Sequence, residues 1–154
     1  MSQQFVNNNS KIIAIDFDGT IVEHDYPKIG KEMMFAFATI KELQKKGHKL
    51  ILFTYRTGSL LQEAVDYCKQ NGVEFYAVNN NYPEETPNDN LPRKLNADIF
   101  IDDRNVGGFL GWSAVWQILH PEGGEFNHMV KNPEAHANYK QEKSFLQKLF
   151  GKNN

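Results

Sequence analysis

The stretch Lys11-Ile12-Ile13-Ala14-Ile15-Asp16-Phe17-Asp18-Gly19-Thr20 decides how the rest of the chain is read. Its four apolar residues, Ile12 to Ile15, are too few for a helix and lack the polar alternation of a half-exposed strand, so they predict a strand buried on both faces. Strands of that kind lie centrally in parallel sheets. This one runs directly into Asp16 and Asp18, which places two carboxylates at the carboxyl end of a core strand, where open α/β sheets hold their ligands. A plain Asp-Gly turn is the simplest alternative. Against it stands the electrostatic cost of two adjacent carboxylates, which raises one pKa or requires a cation. A calcium loop of the EF-hand type is excluded, because the sixth position is Ile21 rather than glycine and the preceding element is a strand.

The chain has 154 residues, one domain's worth, enough to bury about 70% of the surface its unfolded form exposes. A formal charge of −2 gives no global reason to expect nucleic acid or an anionic membrane as partner, while a local basic patch stays open. The single cysteine, Cys68, has no partner within the chain for a disulfide, and residues 1–10 carry neither the basic nor the apolar region of a signal peptide. The expectation is a cytoplasmic protein with a polar, mobile lead-in over 1–10 and one domain over 11–154. No apolar run approaches the ~20 residues of a membrane span.

Beyond the Asp-rich turn, residues 21–30 contain Pro27 and Gly30 and predict an irregular hairpin or flap over the strand end, from which His24, Asp25 and Tyr26 could reach a substrate. Ordinary loop polarity explains the same residues equally well. Lys31 to Lys46 reads as a helix stopped by Gly47. Its segment Met33–Ile40 is apolar on more than one face, which leaves a homo-oligomer open. Lys49 to Thr54 predicts a second buried strand. Arg56 to Ser59 then leads into a helix whose stripe of Leu61, Ala64, Val65 and Cys68 makes the thiol a core group rather than a reagent. Val73–Val78 and Leu95–Ile101 complete a set of four strands, separated by a 16-residue loop, Asn79–Lys94, longer than an ordinary connection. The expected fold is α/β, a single doubly wound, Rossmann-like parallel sheet. Trp112–Leu119 reads as a short helix, 120–136 as irregular, and Tyr139 to Phe150 as a final amphipathic helix. His120, His128 and His136 have no metal-ligand spacing.

At the strand ends stand Asp16 and Asp18, Thr54, and Asp102 and Asp103, with Lys94 just before the fourth strand. A parallel sheet brings such residues to one edge. There carboxylates suit a hard cation such as Mg²⁺, a hydroxyl and an ammonium suit phosphate oxygens, and one carboxylate remains to attack. In these motifs, from Lys11 to about Arg104, the sequence resembles the haloacid dehalogenase superfamily of phosphohydrolases, of the small capless type. The most specific motif is Ile13-Ala14-Ile15-Asp16-Phe17-Asp18-Gly19-Thr20, and the loosest is the lysine, since Arg93 adjoins Lys94.

The resemblance implies an aspartyl-phosphate on Asp16, with Asp18 protonating the leaving group and then activating water. It further implies Mg²⁺ held by Asp16, the Asp18 carbonyl and Asp102, with Asp103 assisting, and a phosphoryl group cradled by Thr54, Lys94 and Gly19. Arg56, His24 and Tyr26 are expected nearer the substrate. The intervals 54 − 16 = 38 and 94 − 54 = 40 leave no room for a cap domain. The substrate is thus a phosphomonoester of undetermined size. A nucleotidase or nucleic-acid end phosphatase is the alternative enzyme, and a catalytically idle phosphoryl-ligand binding protein is the alternative from another class.

Overall fold

The structure is a computed structural model that describes residues 9–123 and Phe126. The described elements run β1 (Ile12–Ile15), α1 (Ala36–Lys45), β2 (Lys49–Leu52), α2 (Gly58–Gln70), β3 (Ala77–Val78), β4 (Ile99–Ile101) and α3 (Trp112–Leu119). The strands form one all-parallel sheet in the order β3-β2-β1-β4, an α/β fold. The chain steps outward from β1 through β2 to β3 and then returns to the other side of β1. That reversal, between β1 and β4, is consistent with the doubly wound pattern and opens the crevice where such sheets bind ligands.

The burial of β1 on both faces follows from its two neighbours. Ala14 pairs with Ile51 on one side and Phe100 on the other, and Ile51 pairs in turn with Ala77. These residues form one row of a core cluster with Leu95, flanked by Phe53 and Tyr76. Ile13, Ile15, Leu50 and Leu52 are just as fully buried on the opposite face. Right-handed crossovers that step in one direction carry their helices on one side of a sheet. The Tyr67 ring of α2 accordingly meets both Phe37 of α1, at 5.7 Å between centroids, and Phe17 just beyond β1, at 6.2 Å.

The first helix begins five residues later than its periodicity suggests. Residues 31–33 pair back onto 21–23 as a hairpin, through bonds from the Glu23 amide to the Lys31 carbonyl (2.7 Å) and from the Met33 amide to the Ile21 carbonyl (2.8 Å). Phe35, in the left-handed region at φ 65°, turns the chain into the helix, and Glu32 Oε1 accepts the Phe37 amide of the first turn. Gly47, at φ 87°, ends α1 as expected: its amide bonds the Gln44 carbonyl while the His48 amide reaches Leu43, the paired closure of a Schellman motif.

The third and fourth strands are shorter than the sequence suggests. Residues near Val73 are used to close α2, the Val73 amide bonding the Cys68 carbonyl, and only Ala77–Val78 pair in the ladder. Before β4, Leu95 is drawn into the core, and Asp98 exchanges two 2.8 Å bonds with the Ile12 backbone, accepting its amide and donating to its carbonyl. At the amino end, Ser10 donates to the Gly47 carbonyl at 2.6 Å, while residues 1–8 lie outside the described set.

The chain divides into two compact units, Met1–Trp112 and Ser113–Asn154. In the first, Trp112 donates its indole N–H to the Thr20 carbonyl at 2.8 Å, in the turn after β1. In the second, the Trp116 ring lies against His120 and Phe126. The expected helix over 139–150 falls outside the described residues, as does most of 120–136. Among the described residues no helix is long and apolar enough to cross a membrane.

Cys68 sits in the core stripe of α2, and burial pushes its thiol up to about 12. A native thiol of this kind is not a thiolate near neutral pH. Ellman's reagent should therefore titrate the single cysteine only after denaturant is added; rapid labelling of the native protein would show that α2 opens locally.

Candidate functional site

Asp16 is the first residue beyond β1, and its amide bonds the Ile101 carbonyl at 2.9 Å, so the end of β4 is locked beside it. The next two residues of the β4 arm are Asp102 and Asp103. Asp16, Asp102 and Asp103 each turn a carboxylate oxygen to a common point, all within 4.8 Å of one another. The close approach depends on Gly19: a Cβ built there would stand 2.2 Å from Asp103 Oδ2, and the backbone is at φ 83°, where other residues are strained. Its amide is already bonded to the Val22 carbonyl at 2.7 Å. Gly19, expected on a phosphate, thus serves by having no side chain.

The trio is under electrostatic load. Burial pushes the Asp16 carboxyl up to about 7; the Phe17 amide's hydrogen bond opposes this, and the charges of Asp102, Asp103 and Asp18 add to it. Asp103 is likewise raised, by burial first and then by the adjoining Asp102 carboxyl, with the Arg104 charge opposing. Asp103 Oδ1 is buried and accepts no hydrogen bond from the described residues. An all-oxygen set with an orphaned acceptor and mutually repelling charges fits a hard divalent cation, whose positive charge removes the load. The Asp18 carboxylate is not one of the three, and the ligand the resemblance implies from this residue is its backbone carbonyl.

Asp18 faces Arg56 instead. The guanidinium grips it through both oxygens, Nε to Oδ2 and Nη2 to Oδ1, each at 2.7 Å. Two further N–H groups donate to the carbonyls of Pro27 (2.9 Å) and Lys28 (2.7 Å) in the flap. The same cation lies over the Phe17 ring at 5.1 Å and beside Tyr26 at 5.3 Å. Its hydrogen bond to Asp18 raises the guanidinium's pKa further. Arg56 was expected to touch substrate, but it is 1% exposed and four of its five donors are engaged, so it stands behind the site and holds Asp18 and the flap. Removing one partner of such a buried pair typically costs about 3–5 kcal/mol.

A cavity of about 420 Å³ opens over these groups, lined by Asp16, Asp18, His24, Tyr26, Phe53, Thr54, Tyr55, Asp102 and Arg104. The flap residues His24 and Tyr26 are therefore brought to the acids. Thr54 is too: its amide donates to Asn79 Oδ1 at 2.8 Å and its Oγ1 accepts the Arg56 amide at 3.2 Å, which leaves the hydroxyl proton to donate into the cavity. Lys94 is not among the lining residues. Its exposed ammonium lies 5.6 Å over the Phe100 ring, which packs edge-on against Phe53. Arg104, Tyr55 and Phe53 line the cavity without having been singled out as site residues. Their signal in the sequence was adjacency to Thr54 and to the Asp102-Asp103 pair. Asn79, which orients the Thr54 amide, carried only the weak signal of an asparagine run just past a strand.

A parallel α/β sheet with an acidic trio at the carboxyl ends of two neighbouring strands defines the class of site. No known family profile and no curated protein matches the chain. A solved structure, that of a conserved protein coded by a locus from Bacteroides thetaiotaomicron, is 50% identical, with a TM-score of 0.70 over 77% of this chain and 97% of that one. The chain belongs to the family of that conserved protein.

The electrostatic load has a thermal signature. A carboxyl whose pKa is raised from 3.8 to about 7 destabilises the folded state when ionised: the cost is absent below about pH 4, grows between 4 and 7, and is complete above 7. In chelator-treated protein above about pH 7, Asp16→Asn should raise the melting temperature by on the order of 5 °C, and the gain should vanish as the pH falls towards 4. Added Mg²⁺ or Mn²⁺ should stabilise the wild type and not the variant. A melting temperature indifferent to both changes would remove the acidic trio as a cation site.

Proposed function

We propose that this protein is a Mg²⁺-dependent phosphomonoester hydrolase working through an aspartyl-phosphate, a member of the haloacid dehalogenase superfamily without a cap domain. The observation that carries the reading is the pairing of two differently treated carboxylates two residues apart. Asp16 is grouped with the cation-competent trio, and Asp18 is withdrawn from it by Arg56.

In the first step an Asp16 oxygen forms a bond to phosphorus as the bond to the leaving oxygen breaks, and Asp18 supplies that oxygen with a proton. In the second, Asp18 takes a proton from water, the water oxygen bonds to phosphorus, and Asp16 is released. The Thr54 hydroxyl donates to a phosphoryl oxygen. Bound among the trio, Mg²⁺ would supply the positive charge that keeps Asp16 ionised and offsets charge on the phosphoryl group. Phe53, Tyr26 and Tyr55 around the mouth favour a planar leaving group, so nucleotides belong in the substrate panel beside simple phosphoesters.

Turnover of p-nitrophenyl phosphate should require Mg²⁺ and disappear in Asp16→Asn. Asp18→Asn should slow an alkyl phosphate by roughly 10² to 10⁴-fold while sparing phosphorylation by the activated aryl ester. Binding of Mg²⁺ and phosphate without turnover anywhere in a broad phosphoester screen would favour an idle binding protein instead.

Because Arg104 and not Lys94 lines the cavity, Arg104→Ala should raise KM for a phosphoester by about tenfold or more, and Lys94→Ala by less. The reverse order would mean that the lysine side chain swings into the site when substrate binds.

A further inference from the structure

We propose that Arg56 is a positioning residue which couples the proton-transfer group Asp18 to the flap over the site, so that 23–31 acts as a fixed wall. The inference rests on the hydrolase reading for its kinetic half and on geometry alone for its mechanical half.

Three walls of the cavity meet at this one residue. Its main-chain amide bonds Thr54 Oγ1 at 3.2 Å; its Nε and Nη2 hold both Asp18 oxygens; and its Nη1 and Nη2 hold the Pro27 and Lys28 carbonyls. Phe17 and Tyr26 rings approach it from two directions, and Tyr26 itself lines the cavity. A lysine in this position retains the charge but cannot make the planar two-oxygen grip while also meeting two carbonyls. The grip fixes the rotation of the Asp18 carboxyl. Each oxygen keeps a second lone pair, so Asp18 can carry or accept a proton on the cavity side without releasing Arg56. The same guanidinium holds His24 and Tyr26 at the mouth by anchoring the backbone just after them, in a protein whose β1–β2 and β2–β3 connections each carry a single helix.

Kinetic and mechanical tests separate this role from simple structural support. Arg56→Lys should lower kcat on glycerol 2-phosphate by about 10 to 10²-fold, with a much smaller loss in single-turnover phosphorylation by p-nitrophenyl phosphate. The double variant with Asp18→Asn should be no slower than Asp18→Asn alone, since two groups acting as one unit are not additive. Equal losses on both esters, or losses that multiply in the double variant, would overturn the positioning role. The second measurement does not depend on the folding of an Arg56 variant or on turnover. Hydrogen exchange of the amides in 23–31 should accelerate at least about threefold in Asp18→Asn, where the two-oxygen grip is lost, relative to the wild type. Unchanged exchange would overturn the coupling. Absence of turnover in the wild type would defeat the hydrolase reading and leave the exchange result to judge the coupling by itself.

Discussion

Repulsion among the acids after β1 and β4 is the constraint to which the rest of the molecule answers. Asp18, Asp102 and Asp103 lie close enough for their charges to act on Asp16, and burial adds to the load on Asp16 and Asp103. The Arg56 guanidinium grips Asp18 by both oxygens and takes it out of the group. The remaining three keep their oxygens turned inward, with a buried acceptor on Asp103 that nothing among the described residues satisfies. Folding tolerates such an arrangement because the backbone beneath it is fixed by the parallel ladder, in which Ile15 pairs with both Leu52 and Ile101. Two adjacent strands thereby deliver their acids to one place whatever the charges prefer.

Close approach has a second requirement, which is room. Gly19 provides it at the turn after β1, where any side chain would collide with Asp103. The hairpin that follows takes residues 31–33 from the helix their periodicity favours, because pairing with 21–23 satisfies their backbone and brings the flap over the strand ends. Buried Arg56 then joins the flap to the acids. The cost of burying a guanidinium is offset by its ion pair and two carbonyls, and the Phe17 and Tyr26 rings lie against it.

This division of labour separates two kinds of acid by environment. Asp16 lies among other carboxylates, and Asp18 lies apart from them, held in orientation by Arg56. Asp16 and Asp18, two residues apart, meet different neighbours: Asp16 the carboxylates of Asp102 and Asp103, Asp18 the guanidinium of Arg56.

By itself the sequence determined the parallel α/β architecture, since the apolar runs at Ile12–Ile15 and Lys49–Leu52 and the glycine-stopped helices between them are local patterns that suit few other folds. It also determined that Asp16, Thr54 and the Asp102-Asp103 pair would share one edge, because residues at the carboxyl ends of parallel strands converge by geometry. Tertiary structure alone decided which of these groups meet. Arg56 looked available for substrate and is buried against Asp18, 38 positions away along the chain. Gly19 looked like a phosphate-binding amide; its amide is bonded to the Val22 carbonyl and its missing side chain gives Asp103 clearance. Lys94 fell outside the cavity, and Arg104 lines it. Such roles depend on which donors meet which acceptors across long sequence separations, and on the space left once the core is packed, and neither quantity has a periodicity to be read.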